Sequence, residues 1–367
     1  VMLSDFLQPG LILIIFGLLI LLIPPQLKKA AVIIGPAVTL CWIFFYEADK
    51  MSVMFGIIFG IIACALWGLV YIIPLWLSTY DPMLIALARY TIFGLFSAVL
   101  LVFNGKYLTQ VSKKDWISAT ALGVVGNLFF YWLLASAVQL AGAPIAGAFT
   151  AVIPISVAIV ANSSARRCGA GVPWSSLVFP LSLVAAGMVC LNWTEFSYFL
   201  ANSNEPTAGF WLGVFYAFLS LLVWTWYPIS NANWLIAHPK ISPMFWTAAQ
   251  GAATLPTAAI GLAAYAAMTE SSTSLWEPTP THFFIGVLFL GIVCSWLAIC
   301  FWNDMSRRLT PALGGQMIIF ETIFAVIYAH IMRQALPTTL MSVGMVLLLA
   351  GVFASVRVFH CTKIKAM

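Results

Sequence analysis

The sequence predicts an all-α integral membrane protein with ten transmembrane helices, arranged as two inverted five-helix repeats, and a two-helix N-terminal extension. Hydrophobic residues make up 63% of the 367 residues and charged residues only 7%, whereas a soluble domain carries about 25% charged residues. Ten apolar stretches, each close to the roughly 20 residues that a transmembrane helix needs, follow residue 50. Proline and glycine positions in the first half recur in the second half in the same order.

The ten apolar stretches are too long for the alternating strands of an outer-membrane barrel. Each is therefore expected to cross the bilayer as one helix. The predicted helices are residues 53–76, 83–103, 116–138, 144–163, 173–192, 209–230, 242–267, 282–303, 310–331 and 338–358.

The recurring positions indicate that one unit has been duplicated. With an odd number of helices in each copy, the second copy is inverted in the bilayer, and this arrangement is typical of alternating-access transporters. The matched positions, first half before second, are Pro82 and Pro243, Arg89 and Gln250, Gly123 and Gly291, Pro144 and Pro311, and Pro154 and Glu321.

The orientation of the helices follows from the positions of lysine and arginine, because cytoplasmic loops retain positive charge. If residue 53 starts inside, only Arg333 falls in an outer loop, and both ends of the ten-helix unit face the cytoplasm. The net charge of +5 then reflects topology and attraction to anionic lipid, and no nucleic-acid partner is predicted. The lysines and arginines that this orientation places on the cytoplasmic side are Lys50, Lys106, Lys113, Lys114, Arg166, Arg167, Lys240, Arg307, Arg308, Arg357, Lys363 and Lys365.

Residues 1–50 fit this topology less well. A helical hairpin broken at Pro24-Pro25 would place Lys28 and Lys29 outside, against the charge rule. Three interpretations stay open: a true two-helix extension, a fused piece of another membrane protein, or a misjudged start, with Met51 as the native first residue. The predicted organisation is an extension at 1–50, a first repeat at 51–192, an external linker at 193–208, a second repeat at 209–360 and a cytoplasmic tail at 361–367.

The sequence contains no pattern typical of an enzyme. It has no Walker, HExxH, GxSxG or dinucleotide-binding motif. The seven cysteines fall within apolar stretches or on the reducing cytoplasmic side. They are therefore predicted to be packing residues rather than members of disulfides or of a metal site. We therefore expect neither catalysis nor a cofactor.

Three short motifs resemble a known family. Ala65-Leu66-Trp67-Gly68 lies in the first helix, Asp81-Pro82 with Ala88-Arg89-Tyr90 opens the second, and small residues surround Pro154 in the fourth. With the five-plus-five layout, residues 51 to about 360 resemble the EamA-type branch of the drug/metabolite transporter superfamily. The resemblance implies export of amino acids and other small metabolites across the inner membrane, either coupled to the proton gradient or running downhill. The chain departs from that family in carrying Glu321 where the first repeat has Pro154.

Two ionisable residues are predicted deep in the bilayer, where a charge is costly and usually faces the interior of the bundle. At 1.5 Å per residue, Glu321 lies about 16 Å into the ninth helix and Arg89 about 10 Å into the second. Glu321 can bind a proton or a substrate amine, or it can be a structural partner of Arg89 or of neighbouring hydroxyls. Arg89 can bind substrate, or it can hold two helices together.

Other polar and aromatic residues share helix faces with these two. Each aromatic residue can equally be a packing residue or part of the interfacial belt. Proline within a helix frees a carbonyl and permits a hinge, which predicts hinges at Pro74, Pro154 and Pro228. The remaining predicted binding residues for substrate or proton are Gln250, Trp67, Tyr71, Asn127, Tyr131, Trp296, Asn303 and Gln316.

The sequence therefore predicts a secondary transporter that exports small organic metabolites by alternating access, with Glu321 as the leading binding or coupling residue. Two alternatives stay open: a passive facilitator, and an accessory subunit of a larger membrane complex. The expected partners are a small-molecule substrate and the lipid bilayer, and a homodimer is left open.

Overall fold

The computed structural model describes residues 48–77, 79–103, 105–202, 208–269, 280–332, 334 and 336–365. Every regular element within these ranges is helical, and we label the ten principal helices α1 to α10. The hairpin predicted within residues 1–50 and the outer residue Arg333 lie outside the described part, except for residues 48–50. The bounds are α1 Ala48–Gly68, α2 Pro82–Phe103, α3 Lys113–Ala141, α4 Ala143–Arg167, α5 Trp174–Asn202, α6 Ala208–Ala237, α7 Pro243–Met268, α8 Pro280–Arg308, α9 Pro311–Met332 and α10 Thr339–Lys365.

The helical membrane class is confirmed. In the described ranges, nine helices, α2 to α10, contain segments long and apolar enough to cross a bilayer. The apolar part of α1, Ser52–Gly68, is shorter, so ten transmembrane helices in two repeats stay a prediction. The α-helix of α1 ends at Gly68 instead of reaching residue 76, and a 3-10 turn at Leu69–Tyr71 and a short helical segment at Ile73–Trp76 follow it.

Several helices run past the bounds that hydrophobicity predicts. Helix α5 continues to Asn202, into the segment predicted as a linker, and α10 continues to Lys365, into the predicted tail. Helix α6 reaches Ala237, and one face of its last two turns, which includes the polar residue Asn231, is buried by neighbouring helices. Hydrophobicity predicts only the part of each helix that lies in the bilayer, and these three helices extend beyond that part.

Two helices contain a wide π-helical segment: Ala121–Phe129 in α3 and Ile292–Leu297 in α8. In α3 the side-chain amide of Asn127 donates to the carbonyl of Leu122, at 3.3 Å. In α8 the hydroxyl of Ser295 donates to the carbonyl of Leu290, at 2.8 Å. Such segments interrupt the regular helical ladder and frequently occur at functional sites.

These two segments hold matching places in the predicted repeat. Asn127 lies four residues after Gly123, and Ser295 lies four residues after Gly291, and these glycines are a matched pair of the sequence. A Cβ atom on Gly123 would lie 2.6 Å from the Gln250 carbonyl oxygen, and one on Gly291 would lie 2.9 Å from the Arg89 carbonyl oxygen. Arg89 and Gln250 are themselves a matched pair. Both contacts agree with the register of the repeat, which as a whole stays a prediction.

Helices α5 and α10 approach each other at glycine. A Cβ atom on Gly187 would lie 2.8 Å from the Gly344 carbonyl oxygen, and one on Gly344 would lie 2.9 Å from the Gly187 carbonyl oxygen. Small residues allow helix backbones to pack closely in lipid, where no hydrophobic force drives helices together. At this contact the last helix of one predicted repeat packs closely against the last helix of the other.

Candidate functional site

A cavity of about 280 Å³ lies between helices from both halves of the chain, and we call it the central cavity. Helix α3 supplies seven of its fourteen lining residues, from Asn127 near its middle to Gln139 near its end. The second half contributes one residue each from α6, α8 and α9. The lining residues are Trp67, Val70, Arg89, Tyr90, Asn127, Phe130, Tyr131, Leu134, Ala135, Val138, Gln139, Trp224, Ile299 and Glu321.

Arg89 is buried at the central cavity and is bound to α8. Its Nε donates to Ser295 Oγ at 2.8 Å, and its Nη2 donates to the Cys294 carbonyl at 3.3 Å. Its guanidinium carbon lies 5.2 Å from the ring centre of Tyr90 and 5.8 Å from that of Tyr131, within the range of a cation–π interaction. The π-helical segment of α8 thus supplies both acceptors, and Arg89 is held in place at the cavity wall.

Glu321 lies beside a break in α9. The helix turns at Ile318, between the segments Pro311–Met317 and Ile319–Met332, and Glu321 falls in the first turn of the second segment. The thiol of Cys64 in α1 donates to the Met317 carbonyl at 3.1 Å and lies close enough to Glu321 to interact with it electrostatically. Broken helices at membrane depth are tolerated where they face protein or a water-filled cavity, and Glu321 lines such a cavity.

An aromatic cluster bounds the central cavity on the other side from Gln139. Trp67 of α1 contacts Trp224 of α6, with ring centres 5.5 Å apart, and Trp302 of α8, with ring centres 5.0 Å apart. Phe130 of α3 packs on Trp224 at 4.9 Å. Four helices meet in this cluster, and Trp302 is completely buried.

Beyond the aromatic cluster, a buried polar network joins α6, α7 and α8. The Asn231 side chain accepts from Trp246 Nε1 at 3.0 Å and from Gln250 Nε2 at 2.9 Å, and it donates to Asn303 Oδ1 at 2.8 Å. The Asn303 amide in turn donates to the Thr247 hydroxyl at 2.8 Å. All of these side chains are fully buried, and buried polar groups that are paired in this way hold helices in one arrangement.

The central cavity brings together five of the ten residues predicted to bind substrate or proton: Glu321, Arg89, Trp67, Asn127 and Tyr131. Gln250 and Asn303 belong to the polar network instead. Trp296 packs against Phe96, with ring centres 5.2 Å apart, and the side-chain amide of Gln316 donates to the Pro154 carbonyl at 3.0 Å. Tyr71 lies in the 3-10 turn after α1, and its side chain is outside the described part of the protein.

The predicted hinge prolines occupy different environments. Helices α4 and α6 continue through Pro154 and Pro228, and α5 and α7 also contain internal prolines, at Pro180 and Pro256. Pro74 lies in the first turn of the short segment after α1. Their role as hinges stays a prediction.

Sequence reasoning missed several residues that line the central cavity, although a signal for most of them exists. Leu134, Ala135, Val138 and Gln139 continue the face of α3 that carries Asn127 and Tyr131, at offsets of seven, eight, eleven and twelve residues from Asn127. Their apolar character hides them, since most differ little from lipid-facing residues. The π-helical segments have no comparable signal.

The central cavity offers both charged and apolar groups to a bound molecule. One guanidinium and one carboxylate line walls that are otherwise largely apolar and aromatic. Among the described residues, no three or more histidine, cysteine, aspartate or glutamate side chains come together as a metal site. Such a cavity can hold a small molecule that carries complementary charges and apolar groups.

The family model of the EamA-like transporter family matches residues 54–166, which fall within the predicted first repeat. The inner membrane protein YtfF of Escherichia coli (strain K12) is 31% identical over 306 residues, which cover 82% of this chain and 95% of the relative. The chain belongs to the EamA-like transporter family. This membership confirms the resemblance carried by the Trp67 and Arg89 motifs and places the chain in the drug/metabolite transporter superfamily.

A solved crystal structure has a similar fold. It aligns with a TM-score of 0.61 and 19% sequence identity, over 82% of this chain and 96% of the other. Family membership also establishes that this protein is a multi-pass membrane transporter.

Proposed function

We propose that this EamA-like protein exports small organic metabolites, amino acids or related compounds, across the inner membrane by alternating access. The observation that carries the proposal is that Arg89 of α2 and Glu321 of α9 line one cavity. Each comes from a different predicted repeat, and transporters with inverted repeats bind substrate at the repeat interface near the bilayer midplane. The inner-membrane location is supported by the name of the E. coli relative.

The charges of the central cavity suit a zwitterion. Arg89 uses two of its five N–H donors on Ser295 and Cys294, so other donors can bind a substrate carboxylate. Glu321 provides the acceptor for an ammonium group. The aromatic and aliphatic walls suit the apolar part of an amino acid, and about 280 Å³ is at the small end of ligand pockets.

The arrangement of the bundle supports one of the two states of an alternating-access cycle. The central cavity extends along α3 towards its C-terminal end, at Gln139. In the opposite direction the aromatic cluster around Trp224 and Trp302, and then the network around Asn231 and Asn303, fill the space between helices. We infer that the cycle separates α6 and α8 at this cluster and network while the Gln139 end closes.

The closed end is proposed to face the cytoplasm. Helix α3 begins with Lys113 and Lys114, and Arg166 and Arg307 lie in the last turns of α4 and α8 at the same side. Cytoplasmic loops retain positive charge. The cavity is therefore open towards the outside in this state, with the substrate ready to leave.

Glu321 is proposed to couple transport to the proton gradient. A carboxylate that is alternately protonated and bound to a substrate amine would exchange the two, and its place beside the break in α9 allows its exposure to change when α9 bends at Ile318. The segment before the break is held to α1 by the Cys64 thiol, which donates to the Met317 carbonyl, and to α4 by the Gln316 amide, which donates to the Pro154 carbonyl.

The test is the extracellular metabolite profile of cells that express the intact protein, Glu321→Gln or Asp304→Asn at matched membrane levels. Asp304 is a partly exposed residue of α8 paired with Arg308. Asp304→Asn is therefore the control for changing a carboxylate to an amide outside the central cavity. We expect amine-bearing compounds to be released by the intact protein and by Asp304→Asn but not by Glu321→Gln. Identical profiles for the intact protein and Glu321→Gln would refute the role of this carboxylate. Release that continues after an uncoupler collapses the proton gradient would indicate a passive facilitator.

A further inference from the structure

A second cavity, of about 180 Å³, opens beside the start of α2, and we call it the Asp81 cavity. Asp81, just before α2, lines it together with Ser136 of α3 and Tyr265 of α7. Helices α2 and α7 are antiparallel neighbours here, so the beginning of one and the end of the other meet. The cavity lies at the end of the bundle towards which the central cavity extends.

The two cavities share one wall. Tyr131, Ala135 and Gln139 line both of them. These three residues are spaced four apart and form a stripe along one face of α3, about 12 Å long at 1.5 Å per residue. A molecule that leaves Arg89 and Glu321 and moves along this stripe reaches Asp81.

The lining of the Asp81 cavity is that of a site for an organic cation. The exposed Asp81 carboxylate accepts from the Met83 backbone N–H at 2.7 Å, and Tyr265 lines the cavity beside it. An ionised carboxylate can accept about four hydrogen bonds, so the Met83 contact leaves capacity for an ammonium group. Tyr131 and Trp132 supply aromatic rings, which attract cations through their faces. Among the described residues that line this cavity, none is lysine or arginine.

The Trp132 ring is fixed in place by its neighbours. It stacks with Phe129 at 5.5 Å between ring centres and packs on Tyr216 of α6 at 5.4 Å. A ring held in this way presents its remaining surface to the cavity with little conformational freedom to lose on binding.

We propose that the Asp81 cavity is a second binding site, which takes the ammonium group of an amine-bearing substrate between the central cavity and the membrane face where α2 begins. The inference rests on the proposed export function for its biological role, but the binding itself can be measured apart from transport. Moving the ammonium from one carboxylate to another along an aromatic stripe avoids leaving it unpaired within the protein.

The experiment measures binding of phenylethylammonium to the purified protein in detergent by titration calorimetry, with Asp81→Asn as the variant. Asparagine also caps a helix N-terminus well, so this change removes the charge and keeps the acceptor for Met83. Because Glu321 is also proposed to bind an ammonium group, the comparison is made in the Glu321→Gln background. There we expect Asp81→Asn to raise the dissociation constant about tenfold or more, as loss of a charge-assisted contact predicts, with an unchanged melting temperature. Asp304→Asn in the same background is the matched control and should bind like Glu321→Gln alone. Equal affinity with and without Asp81→Asn in this background, or no binding to Glu321→Gln at millimolar concentration, would overturn the proposal.

A second measurement compares a charged and a neutral probe and needs no change at Asp81. In Glu321→Gln, the protein should still bind phenylethylammonium about tenfold more tightly than its neutral isostere 2-phenylethanol, because the Asp81 carboxylate remains. Equal affinity for the two probes would overturn the Asp81 site even if Asp81→Asn fails to fold. Because export by Glu321→Gln is scored separately, failure of this site and failure of the proposed function give different results.

Discussion

Arg89 of α2 donates its Nε–H to the hydroxyl of Ser295 in α8, at 2.8 Å, across 206 residues of sequence. The same hydroxyl donates to the Leu290 carbonyl and so belongs to the π-helical segment Ile292–Leu297. A single hydroxyl therefore joins a local irregularity of α8 to the buried cation of the central cavity. The orientation of Arg89 depends on that irregularity.

The first prediction concerns the Ser295 hydroxyl. Ser295→Ala removes an acceptor from the buried Arg89 guanidinium, and loss of a hydrogen bond to a charged group costs about 1.5–3 kcal/mol. We expect the export rate to fall about tenfold or more at an equal membrane level. Ser220→Ala is the matched control, because Ser220 is also buried but bonds only the Ala217 carbonyl of its own helix. Equal export by the two variants would show that Arg89 does not need Ser295.

The second prediction concerns the polar network between α7 and α8. Thr247→Val keeps the shape of the side chain but leaves the buried Asn303 amide without the hydroxyl that accepts its hydrogen bond. We expect a loss of about 1–3 kcal/mol, seen as a lower melting temperature in detergent. Thr225→Val should lose less, because the Thr225 hydroxyl bonds only the Leu221 carbonyl within α6. A network that contributes nothing to this packing would give the same melting temperature for both variants.

The third prediction concerns the contact between α5 and α10. Gly344→Ala would place a Cβ atom 2.9 Å from the Gly187 carbonyl oxygen, which forces the two backbones apart, and overpacking of this kind costs about 1–3 kcal/mol. The melting temperature should fall. Gly314→Ala should be neutral or slightly stabilising, because its Cβ would meet only the Met305 side chain, at 3.5 Å. An unchanged melting temperature in Gly344→Ala would contradict the prediction and would show that the two helices can move apart at little cost.

The fourth prediction concerns orientation. Cys168 is exposed just after α4, beside Arg166 and Arg167, on the side proposed to be cytoplasmic. In a variant with Cys41 and Cys361 changed to serine, a membrane-impermeant maleimide should label Cys168 in inside-out vesicles and leave it unlabelled in intact spheroplasts. The addition of Cys168→Ser should abolish the labelling. Labelling in intact spheroplasts would reverse the proposed topology.

Much of the fold could be predicted because the bilayer imposes simple rules on sequence. A helix that crosses lipid needs about 20 apolar residues, so the apolar span of α2, Met83–Phe103, coincides with its predicted bounds of 83–103. The end of α1 could not be predicted in this way, since the residues after Gly68 are as apolar as those before it. Hydrophobicity also carries no information on where α5 and α6 continue beyond the bilayer.

The site was predictable where residues are costly in a membrane and unpredictable where they are not. A deep charge must face protein or water, which is how Glu321 and Arg89 are found from sequence alone. Asn303 and Gln250 are also polar and deep, but their cost is offset by hydrogen bonds to Asn231, so they pack between helices away from the central cavity. A single sequence cannot tell a deep polar residue that lines a cavity from one that is hydrogen-bonded between helices, because the hydrogen-bond partners lie far apart along the chain.

Arg89 and Glu321 are proposed to bind a zwitterionic substrate together. The most direct measurement is the melting temperature of the purified protein in detergent with a panel of amino acids, since a ligand that binds the folded state stabilises it. We expect at least one amino acid to raise the melting temperature of the intact protein and of Asp304→Asn, and we expect Glu321→Gln to lose this shift. A panel that stabilises the intact protein and Glu321→Gln equally, or does not stabilise the intact protein at all, would contradict the claim.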